Sequence, residues 1–442
     1  MTTLESNLNS FDKQVRKNAL AQLLAQFSKG VPQQEVANMH CHTFYSFNAY
    51  GYSPTGLAWL AYERGWPLMG LIDFDVLDGV DEFLASCDAA DVRGSCGIET
   101  RVYFPEFSTR ETNSPGEPGI MYHIGLGFTS STPAPEAAPI LADMRARARQ
   151  RNLGVMERVN AHLGTVQIDY DQDVLPLTPS GNATERHMIV AYLQAAERVY
   201  QGDALANFWA DRLGMTKAEM EKLMKDLPGL QNTVRSKLMK KGGVGYVQPS
   251  FDSFPDLQTV NKLIVGCGAL PCHGFLDGTL NGEQAMEELL TTLIANGVVV
   301  ANIVPDRNWN LKDPAQKALK LQKLYDYVQM CRDLDLLLNI GTEMNSPGNK
   351  LMDDFDVPEI APVRQDFLDG AYFIYGHTVM QRHCDMGYQS AWSQSAMSSR
   401  KERNEFYMTV GKAVPPGEAG RQKLAGVSAS MRPEDVIRKI LL

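Results

Sequence analysis

Seven short apolar runs, most of them separated by amphipathic helical stretches, restrict what this chain can fold into. The runs lie at 35–42, 67–73, 95–103, 121–128, 269–273, 297–303 and 336–342. Ser53 and Pro54 open a helix from N-cap and first-turn positions that reaches about Arg64. Helical spacing returns at 80–90, after 256, at 283–296 and at 314–333. Strand-and-helix units repeated in this way predict a parallel sheet or a barrel. The alternation stops at 136–242, a charge-rich block that is helical almost throughout, including 183–200 and 217–239. It reads as an insertion. Leu4, Leu8, Val15, Leu20, Leu23, Leu24 and Phe27 follow helical spacing and predict one amphipathic helix over 4–29. The expected organisation is an N-terminal helix within 1–34, barrel segments at 35–135 and 251–350, a helical insertion at 136–250 and a C-terminal extension at 351–442.

The chain holds eight histidines, and two of them, His40 and His42, end the first run with one residue between them. In a strand these side chains share a face, and neutral imidazole is the commonest ligand for zinc-like metals. Asp73, Glu99, His123, His273 and Glu343 recur at the carboxyl ends of later runs. Barrel folds place their chemistry there, because the loops diverge while the strands hold geometry. Burying so many polar groups without a cation would cost several kcal/mol.

A net charge of −10 argues against general affinity for nucleic-acid backbones, so no duplex partner is expected. The seven cysteines form no C-x-x-C pair and fit a reducing cytoplasm. No signal peptide is legible, and no run approaches bilayer length. A cytoplasmic protein without a membrane partner is expected.

His40-Cys41-His42-Thr43 resembles the first motif of the PHP family (polymerase and histidinol phosphatase domain). Gly70-Leu71-Ile72-Asp73-Phe74-Asp75-Val76-Leu77-Asp78-Gly79 resembles its second, and Gly97-Ile98-Glu99 its third. His123 lies in a strand like the fourth, and Ala269-Leu270-Pro271-Cys272-His273-Gly274 is similar to the A-H-P motif. Gly341-Thr342-Glu343-Met344-Asn345 falls where the family has its closing G-S-D-x-H, and Glu185-Arg186-His187 is similar to a segment of members with a helical insertion. The resemblance spans roughly residues 35 to 350. It implies a distorted (β/α)7 TIM-like barrel with an inserted helical subdomain.

Family members commonly bind three metals. The resemblance places Asn48, Phe74 and Asn345 where the histidines of one of those sites would stand. What it then implies is two divalent ions, Zn, Mn or Fe, with Glu99 bridging. His40, His42, Glu99 and Glu343 would hold one; Glu99, His123 and His273 the other. The implied activity is hydrolysis of a small phosphate ester, a nucleotide or short oligonucleotide included, by a metal-activated hydroxide. Asp73 and Glu99 are the expected catalytic carboxylates, Asp73 acting by orienting a histidine. Arg186, His187, Asn48 and Asn345 are the expected substrate contacts. Hydrolysis of an amide and a non-catalytic metal-binding or ligand-binding barrel are the competing readings.

Other residues carry plainer expectations. Asp75 and Asp78 read as shaping the turn before Gly79. Arg145, Arg147, Arg149 and Arg151 alternate on a helix and read as mostly solvated. His162 reads as a helix-end residue, and His377 as ending a strand at 373–377. Residues 411–420 read as a Gly/Pro-rich loop before a short terminal helix.

Overall fold

The structure, a computed structural model, describes residues 2–27 and 32–442. Its seven strands form one sheet in chain order: β1 (Ala37–Cys41), β2 (Leu68–Phe74), β3 (Arg93–Tyr103), β4 (Ile120–Leu126), β5 (Leu270–Gly274), β6 (Val300–Ile303) and β7 (Leu337–Ile340). The sheet curls until its edges meet. His42 N donates to the Glu343 carbonyl and Glu343 N to the His40 carbonyl, both at 2.8 Å. The result is a nearly closed α/β barrel, each strand overlapping an expected run.

One strand departs from the expected parallel order. β4 runs antiparallel to both β3 and β5, whereas β1–β3 and β5–β7 are parallel. Parallel neighbours need a crossover, usually a helix. The β3–β4 connection holds only the 3-10 turn Pro105–Phe107, so the chain turns back at the same end of the barrel. It therefore leaves β4 at the far end and returns along α5.

The helices follow local signals. α1 (Thr3–Asn7) and α2 (Lys13–Gln26) replace the single helix expected over 4–29, because Asp12 caps a new start and accepts from Gln14 N and Val15 N. Residues 28 and 29 lie outside the described residues. Leu8, Leu20 and Leu23 pack with Trp59 of α3 (Pro54–Arg64). Ser53 caps α3 through Gly56 N, and Gly65 ends it at φ 69°. α4 (Val80–Ala89) packs on β3 and against α3.

α5 (Ala138–Leu163) carries the chain into the insertion, followed by α6 (Glu185–Val199), α7 (Gly202–Leu213), α8 (Lys217–Leu223) and α9 (Leu227–Met239). The expected 217–239 helix is split because Asp226 caps a second start before Pro228. These helices have their own apolar core, with Val159, Leu163, Tyr192, Trp209 and Val234 buried together. Leu141 and Met144, earlier on α5, belong to the barrel core instead. α10 (Leu257–Gly266) then packs outside β4 and β5.

Beyond the barrel, 373–377 is not a strand. It lies inside the helix Arg364–Cys384, which packs on β7 and joins the barrel core through Phe367, Phe373 and Ile374. A Cβ at Gly370 would collide with the Leu338 backbone, so this close approach requires glycine there. Residues 411–420 are not a loop either: the helices Arg400–Ala413 and Gly417–Leu424 meet there around Pro415 and Pro416. No helix among the described residues is long and apolar enough to cross a membrane.

Candidate metal centre and cleft

Three ligand atoms converge beneath a cleft on the mouth of the barrel, and of their residues Glu99 lines it. His40 Nε2, His42 Nε2 and one Glu99 oxygen all lie within 4.8 Å of one another. Glu99 Oε2 is 3.4 Å from His40 Nε2 and 3.1 Å from His42 Nε2. All three atoms are buried, and none has a hydrogen-bond partner among the described residues. Buried polar atoms are nearly always satisfied, so three adjacent orphans point to a missing partner.

The imidazoles are held in the tautomer that a metal needs. Asn339 Nδ2 donates to Asn302 Oδ1 at 2.8 Å, fixing that atom as an acceptor. His40 Nδ1, 3.0 Å from the same oxygen, therefore carries the proton and leaves the Nε2 lone pair free. Ser46 Oγ donates to Asp73 Oδ1 at 2.5 Å and accepts from His42 Nδ1 at 3.1 Å, which frees His42 Nε2 in the same way. Phe74 stacks on the His42 ring, with centroids 4.6 Å apart. A Cβ at Gly341 would collide with His40, so β7 closes against the histidine pair only because that residue is glycine. Burial would raise the Glu99 carboxyl, but His40 and His42 beside it hold it well below the usual range. Burial would lower His40, but Glu99 outweighs it and raises the imidazole.

The second expected ligand set does not assemble. Directly opposed residues of antiparallel strands share a face. Glu99 is opposed to Ile124, whereas His123 is opposed to Thr100 and to His273. His123 and His273 thus point out of the barrel, toward α10, and Cys272 takes the position on Glu99's face. His123 Nε2 meets Asn261 Oδ1 of α10 at 2.7 Å, and a Cβ at the adjoining outward position, Gly125, would strike Ile264 of α10. Neither histidine lines the cleft. The sequence pattern set the strand correctly but not its phase: Ile124, not His123, takes the inward position beside Glu99.

Glu343 lines the cleft but turns to Arg307, whose Nη2 donates to both carboxylate oxygens at 2.8 Å. Asn345 Nδ2 lies 3.3 Å from the same carboxylate. Asp73 does not line the cleft: Thr43 N, Thr43 Oγ1 and Ser46 Oγ donate to its oxygens, and Ser46 links it by hydrogen bonds to His42.

The cleft holds roughly 440 Å³. Arg101, Arg151, Arg186, Arg235, Lys240 and Arg307 line it, against Asp75, Glu99, Glu185 and Glu343. Arg186, the expected anion contact, holds Asn232 Oδ1 at 2.6 Å and Ser346 Oγ at 2.8 Å and makes no hydrogen bond to a carboxylate among the described residues. His187 stands apart from it. Buried, it accepts from Thr184 N at 3.0 Å through Nδ1 and packs edge-on to Phe47, so it caps α6 and does not line the cleft. Asn48 likewise braces a loop, donating to the His42 carbonyl and accepting from Tyr50 N, both at 2.8 Å.

Arg151, expected in solvent, is drawn inward. It lies over the Phe254 ring at 4.2 Å and donates to Ser253 O at 3.0 Å. Burial pulls its guanidinium down to about 10 against the opposing pull of Asp75. Arg147 and Arg149 do pair at the surface, with Asp143 and Asp171. Asp75 is also a cleft residue, with φ 55° and its Oδ1 accepting from Thr100 Oγ1 at 2.6 Å. Arg307, Arg235 and Lys240 escaped the sequence reading. Arg307 follows the carboxyl end of β6, the one signal that could have marked it. His162 Nε2 meets the Arg212 carbonyl, and His377 accepts from Tyr388 N; both lie away from the cleft.

No protein-family model matches the chain, and no curated protein matches it. Two solved structures are similar in outline. One is an amidohydrolase from Chromobacterium violaceum with bound sulfate and no metal: 18% identity, TM-score 0.49, covering 76% of this chain and 96% of that one. The other, from Bifidobacterium adolescentis, is a candidate metal-dependent phosphoesterase: 16% identity, TM-score 0.47, covering 76% of this chain and 98% of that one.

Proposed function

We propose that this protein is a metal-dependent phosphoesterase acting on a small phosphate ester, with its primary divalent ion held by His40, His42 and Glu99. The observation that carries this reading is the cluster of three buried, unpartnered ligand atoms beneath a cleft walled by guanidinium groups. The donor set fits Zn, Mn or Fe. An ion bound there supplies Lewis-acid polarisation and a water acidic enough to ionise near neutral pH.

The chain's own residues supply the rest. Asn302 and Ser46 keep the two Nε2 lone pairs turned inward. Arg186 and Arg151 offer positive charge without a carboxylate hydrogen-bonded to either, suited to holding a phosphate against the floor. Phe47, Phe74 and Tyr122 give an apolar wall for the organic part of the substrate. A cleft of this size takes a small ligand and not a duplex. Amide hydrolysis would leave Arg186 and Arg151 without a role. The two-ion arrangement expected from the sequence is reduced to one site, because His123 and His273 face away.

The test is metal content followed by phosphate release. Chelated protein reloaded with Mn, Zn or Fe is expected to bind about one equivalent tightly and to release inorganic phosphate from a panel of phosphate esters. Glu99→Gln and His42→Ala are expected to lose both properties. Metal bound without phosphate release from any ester would overturn the phosphoesterase reading, and no bound metal would overturn the site.

A further inference from the structure

The carboxylate of Glu343 lines the same cleft as Glu99, yet an arginine holds it. Its backbone cannot move far. Glu343 N and O bond to His40 and His42, both at 2.8 Å, and Gly341 is packed against His40. Glu343 and Met344 sit at φ 65° and 56°, a conformation that persists in non-glycine residues only where the surroundings enforce it. The side chain alone is free to choose its partner.

The hold on that side chain is loose in kind. Arg307 uses one nitrogen, Nη2, for both oxygens, instead of the two-nitrogen fork that makes arginine–carboxylate pairs strong. Its Nη1 and Nε make no hydrogen bond to a described residue, and its side chain is 37% exposed where that of Glu343 is 11% exposed. Meanwhile His40, His42 and Glu99 offer three ligands, and a metal of this class takes a fourth.

We infer that Arg307 and a divalent cation compete for Glu343, so that metal loading transfers the carboxylate to the cation and releases Arg307 to bind the substrate's anionic group. Glu343 has a positive partner in both states. Without metal, Glu343 neutralises Arg307; with it, Glu99 and Glu343 neutralise the dication and Arg307 is left positive on the cleft wall. Metal and anion would then strengthen each other's binding by the same factor. The anion half of this inference rests on the proposed function; the metal half does not.

The experiment uses the full chain with Co²⁺ as a spectroscopic probe and inorganic phosphate as the anion. Glu343→Gln is expected to weaken Co²⁺ binding by about 10–100-fold and to change the Co²⁺ absorption spectrum. Arg307→Ala is expected to bind Co²⁺ at least as tightly as the native protein, since the competitor for Glu343 is gone. Weaker Co²⁺ binding by Arg307→Ala, or an unaltered spectrum in Glu343→Gln, would overturn the exchange. If Arg307→Ala does not fold, Arg307→Gln serves for the same comparison. In metal-free protein, Glu343→Gln should tighten phosphate binding by about fivefold or more, but not when combined with Arg307→Ala. Equal tightening in both backgrounds would overturn the anion half. Phosphate bound by no variant would sink the phosphoesterase reading, while the Co²⁺ comparison still decides the metal half.

Discussion

His123 and His273 stand opposite each other across β4 and β5, on the face of the sheet turned away from Glu99. His273 has both ring nitrogens buried without a hydrogen-bond partner among the described residues, and His123 has one. Their surroundings are α10 and the outer layer of the barrel. Replacing either by Asn should therefore leave bound metal within about threefold of native affinity and change stability by roughly 1–3 kcal/mol, the range for altering a buried polar group. Loss of metal on His273→Asn, measured by elemental analysis after dialysis, would restore the two-ion arrangement.

Ser46 carries the hydrogen-bonded link between Asp73 and the His42 ring. Ser46→Ala leaves His40, His42 and Glu99 in place but frees the His42 imidazole to rotate. Metal affinity should fall by about 10–100-fold, as for other outer partners of ligating histidines. A chelator-competition titration reads this directly, and unchanged affinity would show that Phe74 and strand geometry suffice to hold the ring.

Arg151 lines the cleft with its guanidinium stacked over Phe254. Arg151→Ala should raise KM for a phosphate ester by roughly 10–100-fold, the weight of a charge-assisted hydrogen bond of about 1.5–3 kcal/mol, with a smaller change in kcat. Arg151→Lys should recover part of the loss. A KM unaffected by either change would remove Arg151 from the substrate's path.

Burial lowers His187 to about 3, well under the ordinary histidine value. Between about 6.5 and 3 the unfolded chain therefore binds a proton that the folded chain refuses. The stabilising difference is complete above 6.5 and is lost as pH falls toward 3, each unit being worth about 1.4 kcal/mol. Glutamine at this third helical position would preserve the cap to Thr184 without titrating. Urea unfolding of chelated protein from pH 7.5 to 4 should show a flatter pH dependence for His187→Gln than for the native chain. Identical slopes would mean that His187 is charged in the fold.

The barrel was legible because its strands are apolar, short and punctuated by capped helices; α3 and the helix Pro314–Asp333 match their expected limits to within a residue. The histidine pair and Glu99 were legible for the same reason, since a two-residue period survives in any strand. Strand direction was not. Nothing in 120–126 distinguishes a strand that runs up from one that runs down, or decides which alternate set of side chains, His123's or Ile124's, turns inward. Arg151 and Arg307 were hidden for a different reason: an arginine on a helix looks alike whether it meets solvent or the mouth of a barrel. His377 was misread because an apolar run around Phe373 and Ile374 suits a buried helix as well as a strand.

The path of α5 has a consequence for how substrate enters. Since β4 delivers the chain to the far end of the barrel, this 26-residue helix climbs back and plants its first half in one apolar core and its last turns in another. A member embedded at both ends works as a strut, not a hinge. The guanidinium groups it and its neighbours present to the cleft are thereby set at a fixed stand-off from the histidines, and selection among substrates follows from length: a molecule must span that gap to touch both.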